Sequence, residues 1–343
     1  MSAWDKGPAG VFAPGEGQSY WQPSPTGGHV TLTMTPETFK HDASACGTQT
    51  IQPGGRIEPM AHRAAEKVWY VLDGAGELTV EGKKHRLVSK VTVAIGRKVV
   101  HSLVNDGDSD LVLFFWITPP GYDDYLACIG QPKSGEAAPV EFAANPVQGF
   151  VRSPVVTDFA ELAAITAEDK GDWVVVGPGD GQSFWQGPPA GRYIQYKVHT
   201  EMFASNRFFA GIQVLAPGGH IPPHAHTRNE EWLLVRNGFG QIFVDGVWHD
   251  LKAGSLAFVS RWVTHSIRND SAEDMEIFAV FTPPGLEKFL PPFSIERQPG
   301  EAEPGDSAFA LPDNAMELLA GAVLNLPFQA DQHNAEALVR PGF

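Results

Sequence analysis

In the stretch "EEWLLVRNG", Glu231, Leu233 and Val235 fall on one side of an extended chain and Glu230, Trp232 and Leu234 on the other, the two-residue period of a β-strand. Comparable short runs, rich in β-branched and aromatic residues, recur as "WLLVRNGFGQIFVDGVWHDL", "SLAFVSRWV" and "MEIFAVFTPPG", with Gly, Pro, Asn and Asp between them. Runs joined by "NG" or "DG" predict hairpins. Many short antiparallel strands with little helix predict an all-β protein, folded as a sandwich or a closed jelly roll. The clearest helix is expected over "PDNAMELLAGAVLNL" from Pro312, with Asp313 or Asn314 as N-cap, packed outside a barrel or on a partner chain.

The pattern occurs twice. "GQSYWQ" at Gly17 returns as "GQSFWQ" at Gly181, and "TPPG" at Thr118 returns at Thr282, both offset by 164 residues. At that offset "VVHSLVND" from Val99 lies over "VTHSIRND" from Val263, and the register holds for more than a hundred residues without insertion or deletion. Two tandem β domains follow, residues 1–150 and 151–343, with a few peripheral helices. "GQPKSGEAAPVEFAANPVQG" from Gly130 to Gly149 reads as the linker between them.

Composition narrows the partners. The 36 glycines and 28 prolines against 19% charged residues suit a turn-rich β protein, and 10% aromatics argue against disorder. A net charge of −15 with no Lys/Arg cluster disfavours nucleic acid and anionic membrane. Cys46 and Cys128 are too few for a disulfide framework or a thiolate metal site, and are expected as free buried thiols in a reducing compartment. The start "MSAWDKGPAG" has neither the basic nor the apolar region of a signal peptide, and no run of 18 apolar residues occurs, so a cytoplasmic location is expected.

The chemistry concentrates in "GGHIPPHAHTRNEEWLLVRNG", Gly218 to Gly238. Alternation in a strand aims His224 and His226 into the barrel together, and parity in the next strand aims Glu231 inward. Burying two imidazoles and a carboxylate is costly unless something binds them, and a divalent cation would. His265 in "RWVTHSIRND" is the expected fourth ligand. This set suits Fe(II), Mn(II), Ni(II), Cu(II) or Zn(II), with positions left for water, substrate or O2. Glu230 remains the alternative carboxylate. Gln213, Arg228, Asn229, Phe243, Phe258 and Trp262 are candidates for the pocket wall, with Gln213, Arg228 and Glu230 the candidate catalytic groups beside the metal. Arg207 and Arg261 are candidates to reach a substrate anion.

Gly218, His224, His226, Glu231 and Gly238 at these spacings resemble the first motif of the cupin superfamily, and Gly254, His265 and Asn269 its second. The second motif departs from the family pattern, with Ser260 and Trp262 where a Pro and a Gly are usual. The resemblance covers residues 17 to 125 and 181 to 290, so the chain looks like a bicupin, two tandem jelly-roll barrels. At the 164-residue offset His224 becomes Met60, His226 becomes His62, Glu231 becomes Lys67 and His265 becomes His101. Lys67 would repel a cation, so the first barrel is expected to be degenerate and metal-free, with Glu66 and Lys67 as an ordinary ion pair.

Similar bicupins with one working barrel include ring-cleaving dioxygenases. The resemblance therefore implies one metal per chain, Fe(II) first, acting with O2 on a gentisate-, hydroquinone- or flavonol-like aromatic substrate, with the ligand carboxylate or Glu230 moving the proton. An oxalate-decarboxylase-like Mn enzyme, a redox-neutral isomerase or lyase, and a non-catalytic ligand-binding bicupin are the alternatives. Exposed apolar residues at Phe289, Leu290, Pro291 and Pro292 point to a homodimer.

Overall fold

Inward alternation of Val, Leu, Ile and aromatic residues gives each repeat one buried face per strand, and closing those faces on each other forms a barrel. The structure, a computed structural model, describes residues 6–135, 139–145, 154–309 and 323–324. The chain forms two units, and each contains one eight-stranded and one five-stranded antiparallel sheet. In the C-terminal unit the buried residues Leu233, Val235, Ile242, Ala257, Ile267 and Ile277 form the interior. In the N-terminal unit Trp69, Val71, Leu78, Val93, Leu103 and Leu113 do the same.

The units divide elsewhere than at 150/151. One comprises residues 15–180 with 201–205, the other residues 1–14, 181–200 and 206–343. The reason is an exchange of edge strands. Ala9–Phe12 pairs with Leu256–Val259 of the C-terminal repeat, and Trp173–Val176, at the same offset, pairs with Thr92–Ile95 of the N-terminal repeat. An edge strand leaves a row of unpaired N–H and C=O groups, and each arm satisfies one such row. Nothing in the composition of the arms distinguishes which repeat they will pair with.

The expected linker also carries structure where it is described. Gln131 and Pro132 pair with Trp21 and Tyr20 as an added strand, and the Ser24 N–H bonds the Phe142 carbonyl at 2.9 Å. Of the helix expected after Pro312, Val323 and Leu324 instead form a short strand on His226 and Ala225; the rest lies outside the described residues. The described α-helices are Tyr122–Ile129, Phe159–Ala163 and Leu286–Phe289. None of the described helices is long and apolar enough to cross a membrane.

Turn chemistry follows the sequence at one signal and not at the other. Asp245 and Gly246, with φ of 51° and 95°, close the hairpin between Phe239–Val244 and Val247–Lys252. Asn237 and Gly238 make no hairpin. Glu230–Asn237 belongs to the eight-stranded sheet and Phe239–Val244 to the five-stranded one, so Gly238 is a corner between sheets. Neither cysteine forms a disulfide; Cys46 is buried, which pushes its thiol pKa up, and Cys128 is half-buried.

Candidate metal centre

Two strands of the five-stranded sheet and one of the eight-stranded sheet supply the site. In His220–His226, Pro222 and Pro223 cannot donate to the ladder, and the register with His265–Asn269 shifts between Ile221 and His224. Beyond that irregularity His224 stands directly opposite His265. His226, two residues on, shares the face of His224, and a short turn brings the chain into Glu230–Asn237 with Glu231 inward.

The ligand-type atoms of His224, His226, Glu231 and His265 all lie within 4.8 Å of one another. Ring centroids are 4.1 Å apart for His224 and His265, 4.9 Å for His224 and His226, and 5.2 Å for His226 and His265. His226, Glu231 and His265 are buried. The Nδ1 of His224 bonds the Pro222 carbonyl at 2.8 Å, and that of His265 the Val263 carbonyl at 2.9 Å. Both rings therefore carry the proton on Nδ1 and turn an unprotonated Nε2 inward, the orientation a ligand histidine needs.

The Nε2 of His265 lies 3.0 Å from Glu231 Oε2 yet forms no directed hydrogen bond there or elsewhere, while His226 Nε2 approaches the same oxygen at 3.3 Å. Buried nitrogens converging on one carboxylate, with His265 Nε2 and His226 Nδ1 left unsatisfied, are the donor set of a cation site, and the residues fit a divalent ion. Burial, and after it the neighbouring His265 and His226, holds the His224 pKa well below its ordinary value. Burial alone would raise the Glu231 carboxyl, but the hydrogen bond with His226 and the close approach of His265 hold it below the usual carboxylate range. His224 is thus a neutral imidazole and Glu231 an ionised carboxylate.

A cavity of about 220 Å³ adjoins the cluster. It is lined by all four residues and by apolar side chains including Leu233, Ala279, Phe281, Leu286 and Leu290, with Gln186 and Gln213 among the few other polar groups. Phe281 stands edge-on to His226, ring centroids 5.8 Å apart. Of the wall residues expected from sequence, Gln213 is there and the others are not. Arg228, Arg207 and Arg261 are exposed outside the cavity. Glu230 leaves its strand on the opposite face from Glu231. Asn229 donates to the Pro283 carbonyl; Phe258 packs on Trp232, and Phe243 on Trp248. The parity of their strands sends these rings outward. Gln186, Phe281, Leu286 and Leu290 were missed, and only the repeat alignment could have raised them. Leu290 is half-buried in the cavity wall, so at that position the expected exposed apolar surface is spent within the barrel.

The departure in the second motif leaves the turn intact at a local energetic cost. Trp262 takes the left-handed conformation, φ 64°, and donates its N–H to the His226 carbonyl at 2.9 Å; Lys98, φ 57°, does the same to His62 at 2.6 Å. A side-chain-bearing residue pays roughly 1–2 kcal/mol for that conformation. Trp262→Gly is accordingly expected to be more stable than Trp262→Ala by about 1 kcal/mol in urea unfolding; equal midpoints would mean the turn is unstrained. Asn269 is structural: its amide donates to the carbonyls of Leu215, Ala216 and Glu273 at 2.8–3.0 Å, and Asn105 holds the equivalent loop.

The sequence profile of the cupin domain matches residues 47–118 and 211–281. The chain carries two cupin domains, one in each repeat, and is in that sense a bicupin. Over 73 residues, 21% of its length, the bicupin is 34% identical to protein SchB of Streptomyces halstedii, of which it spans about half, 51%. Over 93 residues, 27% of its length, it is 27% identical to the polyketide synthase CurC of Streptomyces cyaneus, covering 60% of that protein. Among solved structures it resembles the 11S globulin of Wrightia tinctoria, reported with an auxin binding site, at a TM-score of 0.56 and 13% identity, over 81% of the bicupin and 84% of the globulin. At that identity the likeness is one of fold.

The N-terminal barrel of the bicupin holds different chemistry at the equivalent place. Lys67 is fully buried, its Nζ 2.9 Å from His101 Nε2 and 3.6 Å from the centroid of the Trp69 ring. The expected Glu66–Lys67 ion pair does not form, because adjacent strand residues point to opposite faces and Glu66 accepts the Ser205 hydroxyl instead. Among the described residues the C-terminal cluster is the one group of His and carboxylate side chains arranged to hold a metal.

Proposed function

We propose that the bicupin is a metal-dependent dioxygenase of phenolic substrates, working in its C-terminal barrel. His224, His226, Glu231 and His265 would hold one divalent ion per chain, Fe(II) first, with Mn(II), Ni(II), Cu(II) and Zn(II) compatible with the same donors. A redox-active ion held there would supply the electron relay that lets O2 react with a closed-shell aromatic. The observation that carries the reading is the pairing of this donor set with an apolar cavity. Among the described residues that line it there is no Lys or Arg, which favours a neutral substrate over an oxalate-like dianion.

The chain's own groups divide the remaining work. The carbonyls of Pro222 and Val263 fix the tautomers of His224 and His265. Leu233, Ala279 and Phe281 exclude water and favour a flat ring. Glu231, held ionised, is the carboxylate beside the cavity and the group placed to accept a hydroxyl proton, a role for which Glu230 faces the wrong way.

Protein prepared anaerobically is expected to carry one metal per chain and to consume O2 with ring opening when given a matching dihydroxyaromatic. Release of CO2 from oxalate would replace this reading with the decarboxylase one. Bound metal with neither activity would point to an isomerase or lyase, and a chain that takes up no metal under reducing, replete conditions to a ligand-binding bicupin.

A further inference from the structure

Three interior positions carry rings in one barrel and smaller side chains in the other. Trp69, Phe115 and Tyr122 of the first repeat stand where the second has Leu233, Ala279 and Leu286. The three aromatics are fully buried in the N-terminal barrel, whereas Leu233, Ala279 and Leu286 line the 220 Å³ cavity of the C-terminal one. The exchange of Ile117 for Phe281 runs the other way and restores one ring where three are lost.

One polar interior group is kept across this change. Gln49 and Gln213 share the 164-residue offset, and both are buried. In the filled barrel Gln49 Oε1 accepts the hydroxyl of Tyr122 at 3.0 Å. The Tyr122 ring stands edge-on to His62 and to Phe115, centroids 5.3 and 5.5 Å away, with Lys67 Nζ 4.5 Å from its centre. A phenol belonging to the chain thus lies beside the degenerate centre, with its hydroxyl on the retained glutamine. In the C-terminal barrel no such donor reaches Gln213 among the described residues. Its Nε2 donates to Gln186 Oε1 at 2.5 Å and to the Val214 carbonyl at 3.2 Å, leaving the side-chain carbonyl as the acceptor at the cavity wall.

We propose that the C-terminal cavity takes a hydroxyaryl ligand in the place Tyr122 fills in the other barrel, its ring in the space opened by Ala279 and Leu286 and its hydroxyl donated to Gln213 Oε1. This rests on reading the C-terminal barrel as the site of a phenolic substrate, and names the group that recognises it. Size agrees: an apolar cavity of about 150 Å³ holds benzene, so the present one admits a substituted ring. Gln213 is a specificity residue here, since a buried acceptor left unpaired by an analogue without the hydroxyl is penalised.

The test compares 4-methylphenol with toluene, titrated under nitrogen into the full chain as purified and again after chelation, with binding read by calorimetry or ligand NMR. The wild type is expected to prefer the phenol by about fivefold, the equivalent of one net hydrogen bond. Gln213→Leu should bind both equally. Leu286→Tyr, which gives the second barrel the residue of the first, should weaken both more than about tenfold while thermal unfolding shows it folded. Equal binding of the two by the wild type, a preference that survives Gln213→Leu, undiminished binding by Leu286→Tyr, or no binding by the wild type would each overturn the proposal. Because neither O2 nor turnover enters the measurement, a protein that binds phenol but does not oxygenate it separates failure of the dioxygenase reading from failure of this one.

Discussion

His226→Ala is expected to abolish stoichiometric metal binding, and His62→Ala, its counterpart at the 164-residue offset, to leave it unchanged. His226 is buried, its ring centroid lies 4.9 and 5.2 Å from those of His224 and His265, and its Nε2 is 3.3 Å from Glu231 Oε2. Alanine there removes one of four donors and strips Glu231 of a partner in the same step. Losing only the hydrogen-bond partner behind a metal ligand costs roughly 10–100-fold in affinity, so losing the ligand should exceed about 100-fold and leave substoichiometric metal after gel filtration. His62 sits among Lys67, His101 and Tyr122, and Met60 and Lys67 replace two of the donors. Elemental analysis of the two variants beside the wild type decides the matter. Equal loss in both would mean that the N-terminal barrel, or both barrels, holds the ion.

Lys67→Met is expected to remove a steep rise of stability with pH. Lys67 faces His62, His101, Trp69 and Tyr122; His101 Nδ1 bonds the Val99 carbonyl at 2.9 Å, so its Nε2 is the acceptor for the Lys67 amine. No carboxylate faces Lys67 among these neighbours, and burial holds its pKa well below 10.5. Over the range from that depressed pKa up to 10.5 the unfolded chain binds a proton that the folded chain does not, so stability rises with pH, by about 1.4 kcal/mol per unit. Between pH 7 and pH 9 the wild type should gain on Lys67→Met by about 1.4 kcal/mol for each unit of that range lying above the folded-state pKa of Lys67. His62 and His101, also lowered by burial and then by Lys67, contribute stability that is complete above their ordinary value of 6.5 and is lost below it, outside this window. Urea unfolding of both proteins at each pH measures the difference. Parallel curves would mean that the ring faces of Trp69 and Tyr122 keep Lys67 charged in the fold.

The donor set was legible because its parts are local. His224 and His226 share a face through the two-residue strand period, and parity favoured Glu231 with Glu230 kept as the alternative; of the two, Glu231 is the one that lies with the histidines. His265 needed the second motif, since its approach to His224 is a pairing across strands. The pocket wall was less accessible to such reasoning. Of the six wall candidates only Gln213 lines the cavity, because Phe243, Phe258 and Asn229 are turned away by strand parity and turn geometry, and Leu286 and Leu290 come from a segment beyond the barrel strands.

From the sequence alone came the duplication, the β class, the convergence of three histidines with one glutamate, and the loss of that set from the first repeat. Residue type and short-range periodicity fix the strands and the shared face of His224 and His226; the 164-residue repeat and the second motif supply the rest. The tertiary structure alone decided that residues 9–12 and 173–176 pair with the opposite repeats, that the Lys67 amine meets His101, and that Ala279 and Leu286 line a cavity where the first repeat has the buried rings of Phe115 and Tyr122. Those outcomes depend on which backbone groups lack partners and which side-chain volumes meet across the interior, and neither is set by neighbours in the chain.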